Sequence, residues 1–133
     1  MIKDPVLLIV DDNLNFADRM IGLLDDVPGI SAIHLAADYE EAKRLFLTVH
    51  PCVILLDINL PGRNGIEILT FIKQANIECE VIMITNHVDD YYRQQCLDLG
   101  AKHFLDKSND FALVPGIISE IINGMRPAGK SVL

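Results

Sequence analysis

Apolar positions in this chain follow two patterns that alternate along its length. The first is the short unbroken run, as in Val6 to Val10 and in Val53 to Leu56, where four apolar residues follow one another. Such runs suit strands buried on both faces, as in a parallel sheet with helices on each side. The second is helical spacing, with apolar residues on one stripe and polar ones between. Phe16, Ala17, Met20, Leu23 and Leu24 show it directly after the first run.

Read in order, the same alternation recurs. Gly29 closes the first connection, Ile33 to Ala37 predicts strand two, and Asp38-x-x-Glu41 is a capping-box pattern opening a helix whose inner face is Ala42, Leu45, Phe46 and Val49. Pro51 stops that helix, strand three runs into Asp57, and Pro61, Gly62, Asn64 and Gly65 put a loop after it. Ile68, Leu69 and Ile72 mark a third helix. Glu80 to Ile84 predicts strand four, ending in Thr85.

Asp89 to Leu99 is a more polar helix with Tyr92, Cys96 and Leu99 on its stripe; Gly100 closes it, and its weak apolar face predicts loose attachment. Strand five is His103 to Leu105. A last helix carries Leu113, Val114, Ile117, Ile118, Ile121 and Ile122, with Pro115 in its first turn, where a missing N–H costs little. The tail 124–133 is expected to be flexible. Five β-α units predict an α/β fold: a doubly wound parallel sheet with right-handed crossovers and helices on both faces.

Composition narrows the class. The 133 residues make one domain with an aliphatic core, being half hydrophobic and without Trp. A net charge of -8 argues against direct nucleic-acid or anionic-membrane binding, and favours cations or basic partner surfaces. Cys52, Cys79 and Cys96 have no Cys-x-x-Cys spacing and read as small core residues of a reducing compartment. The Met-Ile-Lys-Asp-Pro start has no signal-peptide core, so a cytoplasmic protein is expected.

The polar residues carry the chemistry. Asp11 and Asp12, Asp57, Thr85 and Lys107 each follow a predicted strand, so strands one, three, four and five deliver them to one edge of the sheet, where open α/β sheets bind ligands. Three carboxylates there would repel one another unless a cation joined them, and an oxygen-only site suits Mg2+. Asp57 could act as a nucleophile towards a phosphoryl group, with Lys107 neutralising its oxygens and Thr85 hydrogen-bonding one of them. Taken alone, Asp11 or Asp12 could equally be a loop residue or helix cap.

With these residues in place, the chain resembles a response-regulator receiver domain of two-component signalling. The resemblance rests on Asp11-Asp12, on Asp57 within Leu-Leu-Asp-Ile-Asn-Leu-Pro-Gly-Arg-Asn-Gly, on Ile84-Thr85 and on Lys107 after Phe104-Leu105, and covers roughly residues 5 to 123. It implies the flavodoxin-like strand order 2-1-3-4-5, with residues 1–123 as the receiver. It implies that Asp57 is phosphorylated by a histidine kinase or phosphotransfer protein, and that Asp11, Asp12, Asp57 and the Asn59 main-chain carbonyl hold Mg2+. Lys107 would pair with the phosphoryl group, and Thr85 and Phe104 would be switch residues.

Output would then pass through protein contacts with a downstream effector, with phosphorylation-dependent dimerisation as one form, since no output domain is expected. The sequence departs from the family's pattern at Ser108, where Pro usually follows the lysine with a cis bond; Ser prefers trans, so Lys107 is expected to enter by a somewhat different path. Asn59 and His87 occupy the positions that tune phosphoaspartate hydrolysis in the family. Two other readings use the same residues. One is a Mg2+-dependent phosphatase with an aspartyl nucleophile, which generally needs an acid where Asn59 stands; the other is a degenerate receiver serving as a scaffold, against which the full set of site residues argues.

Overall fold

The computed structural model describes residues 5–75, 77–86 and 89–125. Five strands and five helices alternate: β1 (Val6–Val10), α1 (Leu14–Leu24), β2 (Ala32–Ala36), α2 (Tyr39–Val49), β3 (Val53–Leu56), α3 (Gly65–Gln74), β4 (Glu80–Thr85), α4 (Asp90–Asp98), β5 (His103–Asp106) and α5 (Val114–Gly124). The strands form one parallel sheet in the order β2-β1-β3-β4-β5, the order the resemblance implied.

The unbroken apolar runs arise because each strand feeds two cores. Leu8, Val10, Ile54, Leu56, Val81 and Met83 point to the face covered by α2, α3 and α4. Leu7, Ile9, Val53, Leu55, Ile82 and Ile84 point to the opposite face, against α1 and α5. Side chains alternate across a strand, so a strand covered on both sides has no polar position to offer. The three cysteines are buried and unbridged.

Local chemistry sets the helix ends. Asn13 caps α1 by accepting from the Phe16 N–H, and Asp38 caps α2 by accepting from the Glu41 N–H. The return half of the α2 cap is displaced by one residue, because Glu41 accepts from the N–H of Ala37. A complete capping box, Asn64 with Glu67, starts α3. At the end of α4, Gly100 adopts φ 103° and its N–H donates to Leu97 while that of Ala101 donates to Cys96, a Schellman closure.

The inner faces of α1, α3 and α4 lie where the spacing puts them; α2 meets the core through Ala42, Leu45 and Phe46 but not Val49, and the last helix needs one correction. Leu113 does not join the last helix's apolar face; it lies in a short 3-10 turn, Phe111–Leu113, and is 55 % exposed. Pro115 explains the break: α5 starts just before it, and the turn that precedes it packs Phe111, not Leu113, towards the core. Helix α4 buries only Cys96, with Tyr92 partly covered and Tyr91 exposed. Among the described residues no helix is long and apolar enough to cross a membrane. His87 and the tail from 126 to 133 lie outside the described residues.

Candidate functional site

Three of the chain's polar side chains reach the site because the sheet's last ladder bonds carry them there. The N–H of Asp11 donates to Ala36 on β2 at 2.9 Å, that of Asp57 to Val10 on β1 at 3.0 Å, and that of Lys107 to Thr85 on β4 at 3.0 Å. Each residue is thus fixed to the neighbouring strand one step past its own strand's end. Backbone paired in this way has little freedom, and the side chains meet at one edge.

They meet closely. Lys107 Nζ donates to Asp57 Oδ2 at 2.9 Å and lies 2.7 Å from Asp11 Oδ2. Asp11 and Asp57 are buried, and the Lys107 side chain is only 9 % exposed. Nζ also sits 4.5 Å from the centre of the Phe16 ring, so an aromatic face forms the apolar wall of the ammonium's pocket. The remaining Asp57 oxygen, Oδ1, accepts from the Asn59 N–H at 3.3 Å, and Asp11 Oδ1 accepts from the Asn13 N–H at 2.8 Å.

One ammonium shared by two buried carboxylates leaves the cluster short of positive charge. Burial pushes the Asp11 carboxyl up from its ordinary value, more strongly than the Lys107 ammonium and the Asn13 N–H pull it down. Burial alone would lower the Lys107 ammonium, but its close approach to the Asp11 and Asp57 carboxylates outweighs that and raises it. Lys107 is therefore a fixed cation.

A hard divalent cation fits what is left. Ligand oxygens of Asp11, Asp12 and Asp57 lie within 4.8 Å of one another, with Asp12 exposed at the mouth. Asp11 Oδ2 is buried and receives no hydrogen bond; its 2.7 Å approach to Lys107 is a charge pair without hydrogen-bond angles. An all-oxygen donor set that includes a buried acceptor held by a charge pair alone suits Mg2+ chemistry. Among the described residues this is the only such cluster, and no histidine or cysteine joins it.

Thr85 is fully buried at the end of β4, paired in register with Asp106 of β5. Phe104 is buried under α4, where the Arg93 guanidinium lies 5.1 Å from its ring centre and donates to its carbonyl at 3.4 Å. Asn13, not Asp12, caps α1, so Asp12 is left to face the cluster. Beside Lys107 a groove of about 560 Å³ opens between the start of α1 and the β5–α5 loop, lined by Asn13, Phe16, Arg19, Asn86 and Phe111 among others.

Several contributors were not singled out from the sequence. Phe16 reads as core, and nothing in its spacing shows the cation above it. Gly65 reads as a turn former, although Asn64-x-x-Glu67 is a capping-box signature that places Gly65 at the first position of α3. Arg93 has no local signal at all.

Fold and site together define a doubly wound α/β domain with a buried carboxylate–lysine cluster at one sheet edge, and comparison with known proteins gives its family. The model for the response regulator receiver domain matches residues 7–118, and the chain belongs to this family. It is 35 % identical over 101 residues to the transcriptional regulatory protein DltR of Streptococcus agalactiae serotype III (strain NEM316), covering 76 % of this chain and 44 % of that one. It is 33 % identical over 107 residues to the protein-glutamate methylesterase/protein-glutamine glutaminase of Treponema pallidum (strain Nichols), covering 79 % and 27 %.

Among solved structures, the signal receiver domain of a DNA binding response regulator protein (merR) from Colwellia psychrerythraea 34H superposes with a TM-score of 0.83. Its identity is 29 %, and the match covers 90 % of this chain and 99 % of that one. This chain spans less than half the length of the two sequence relatives named.

Proposed function

We propose that this chain is the phosphoacceptor of a two-component phosphorelay, with Asp57 as the residue phosphorylated. The observation that carries the reading is the Lys107 ammonium held 2.9 Å from Asp57 Oδ2 and 2.7 Å from Asp11 Oδ2, inside a cluster of three carboxylates. A nucleophilic carboxylate must approach a phosphoryl group bearing negative charge, which needs positive charge already in place.

A carboxylate oxygen of Asp57 forms a bond to phosphorus as the P–N bond of a donor phosphohistidine breaks, and the leaving imidazole takes up a proton. Lys107, buried and permanently charged, moves its pairing from the carboxylates to the arriving phosphoryl oxygens. Asp11, Asp12, Asp57 and the Asn59 main-chain carbonyl would hold Mg2+, which when bound neutralises the remaining charge on those oxygens. The donor, a histidine kinase or phosphotransfer protein, approaches over the groove beside Lys107.

Phosphorylation adds about -1.5 to -2 charges at one point. Thr85 draws towards the new acceptor oxygens, and Phe104 shifts on β5, altering the face formed by α4, β5 and α5. That change is read by a downstream effector protein or a second copy of this chain in the cytoplasm, rather than by nucleic acid directly, given the charge of -8.

Incubation with Mg2+ and acetyl phosphate tests this. A stoichiometric, base-labile phosphoryl adduct that Asp57→Asn abolishes is the expected result. Absence of any adduct would overturn the reading, and multiple turnover of unrelated phosphomonoesters would replace it with a phosphatase.

A further inference from the structure

The segment that carries Lys107 is held by two aspartates that serve no helix cap. Asp106, the last residue of β5, accepts from the Ser108 N–H at its Oδ1 (2.9 Å) and from Asn109 Nδ2 at its Oδ2 (2.9 Å). Its own N–H donates to Asp110 Oδ2 at 2.9 Å, and its carbonyl accepts from the Asp110 N–H at 2.8 Å. Asp110 precedes the 3-10 turn, yet its carboxylate makes no capping bond there; it is spent backwards on β5. Every one of these bonds closes around the 107–109 segment.

Resting on the phosphoacceptor reading of Asp57, we propose that Asp106 is the positioning residue for Lys107, clamping the loop so that the ammonium stands between Asp11 and Asp57. Lysine has a flexible four-carbon stem, so its reach is set by where its main chain is held. On one side that hold is the Lys107 N–H to Thr85 carbonyl bond; on the other it is the turn made by the Asp106 carboxylate. The turn requires an N–H at position 108, which Ser108 supplies and a proline would lack. Both Asp106 oxygens are committed to the two residues after Lys107, leaving that segment one main arrangement. A displacement of about 1 Å at a charge-stabilising group is enough to slow a reaction substantially.

The test measures the rate of adduct formation on the full chain with Mg2+ and acetyl phosphate, alongside melting temperature. Asp106→Ala is expected to slow the reaction about tenfold. Asp106→Asn, which keeps an acceptor for the Ser108 N–H, restores the rate to within about twofold. Asn109→Ala, at an exposed position that does not threaten folding, slows it in the same direction by less. In a Lys107→Ala background Asp106→Ala has no further effect, because a residue that acts through another is silent once that other is gone. Wild-type rates in both Asp106→Ala and Asn109→Ala, or equal slowing with and without Lys107, would overturn the inference while leaving the phosphoacceptor reading intact. Failure of the wild-type chain to form any adduct would overturn that reading and this inference with it.

Discussion

Gly65 packs directly on the main-chain carbonyl of Asp57, so closely that a β-carbon at position 65 would overlap the carbonyl oxygen and press on Ile58 Cα at 3.0 Å. The N–H of Gly65 also donates to the Ile58 carbonyl at 2.7 Å, and α3 begins at this residue. The start of a helix thus braces the backbone of the proposed phosphoacceptor.

Gly65→Ala is therefore expected to destabilise the domain by about 1–3 kcal/mol, the usual range for overpacking. It should also slow adduct formation at Asp57, since backbone and not a flexible side chain must give way. Gly22→Ala is the contrast: position 22 lies inside α1 with open space around it, so the change should stabilise by about 0.5–1 kcal/mol. Denaturant melts of the two variants, with phosphorylation rates, check both. Equal stabilities would show that the Gly65 contact relaxes without cost.

Lys107→Met is expected to destabilise the protein in EDTA by on the order of 3 kcal/mol, because it leaves Asp11 and Asp57 buried without their shared cation. Added Mg2+ should recover part of the loss. The alkaline behaviour follows from the raised Lys107 ammonium. Its contribution is complete below the unfolded value of 10.5 and is lost as pH rises through the higher native value, so the gap between wild type and variant should close only in that window. A gap that closes near neutrality would contradict the pairing seen here.

How much of this was legible in the sequence depends on the range of the interaction. The strands were readable from Val53 to Leu56 and Val81 to Ile84 because double-sided burial removes every polar position, and Asp11 and Asp57 were readable because each follows such a run, whereas Lys107 follows the short strand His103–Asp106, of which only Phe104 and Leu105 are buried. The family resemblance supplied the strand order, which alternation alone does not determine. Contacts between residues far apart in the chain carry no local pattern: Phe16 beneath Lys107, and Arg93 over Phe104, depend on how α1 and α4 lie across the sheet. Leu113 was misplaced for a related reason. A 3-10 turn changes the angular spacing by which an apolar stripe is read, and Pro115 marks only the start of the regular helix.

Asp11→Asn is expected to raise the melting temperature of the metal-free protein at neutral pH. The native Asp11 carboxyl holds its proton more tightly than the unfolded chain does, so it favours folding at acid pH. That contribution is lost as pH rises from 3.8 through the raised native value. Asn removes the charge and can still accept from the Asn13 N–H. Wild type and variant should therefore converge near pH 4 and separate above it in EDTA. Saturating Mg2+ should reverse their order, because only wild type keeps the full ligand set. A variant less stable than wild type in EDTA at every pH would show that the Lys107 pair outweighs burial.

Thr85→Ala is expected to form the Asp57 adduct at close to the wild-type rate but to lose the response of Phe104. Thr85 sits fully buried at the end of β4, its carbonyl bonded to the Lys107 N–H and its register shared with Asp106, so a pull on it by the proposed phosphoryl group is delivered to the strand that carries Phe104. Phe104 in turn is held by Arg93 through its ring and its carbonyl, a cation–aromatic contact worth about 0.5–1 kcal/mol, small enough for a phosphoryl group to outweigh. NMR of a chain labelled at phenylalanine reads the outcome: the Phe104 resonance should shift on phosphorylation in wild type and stay in place in Thr85→Ala, and Arg93→Ala should shift it before any phosphoryl group arrives. A Phe104 resonance that moves equally in wild type and Thr85→Ala would place the coupling elsewhere in the sheet.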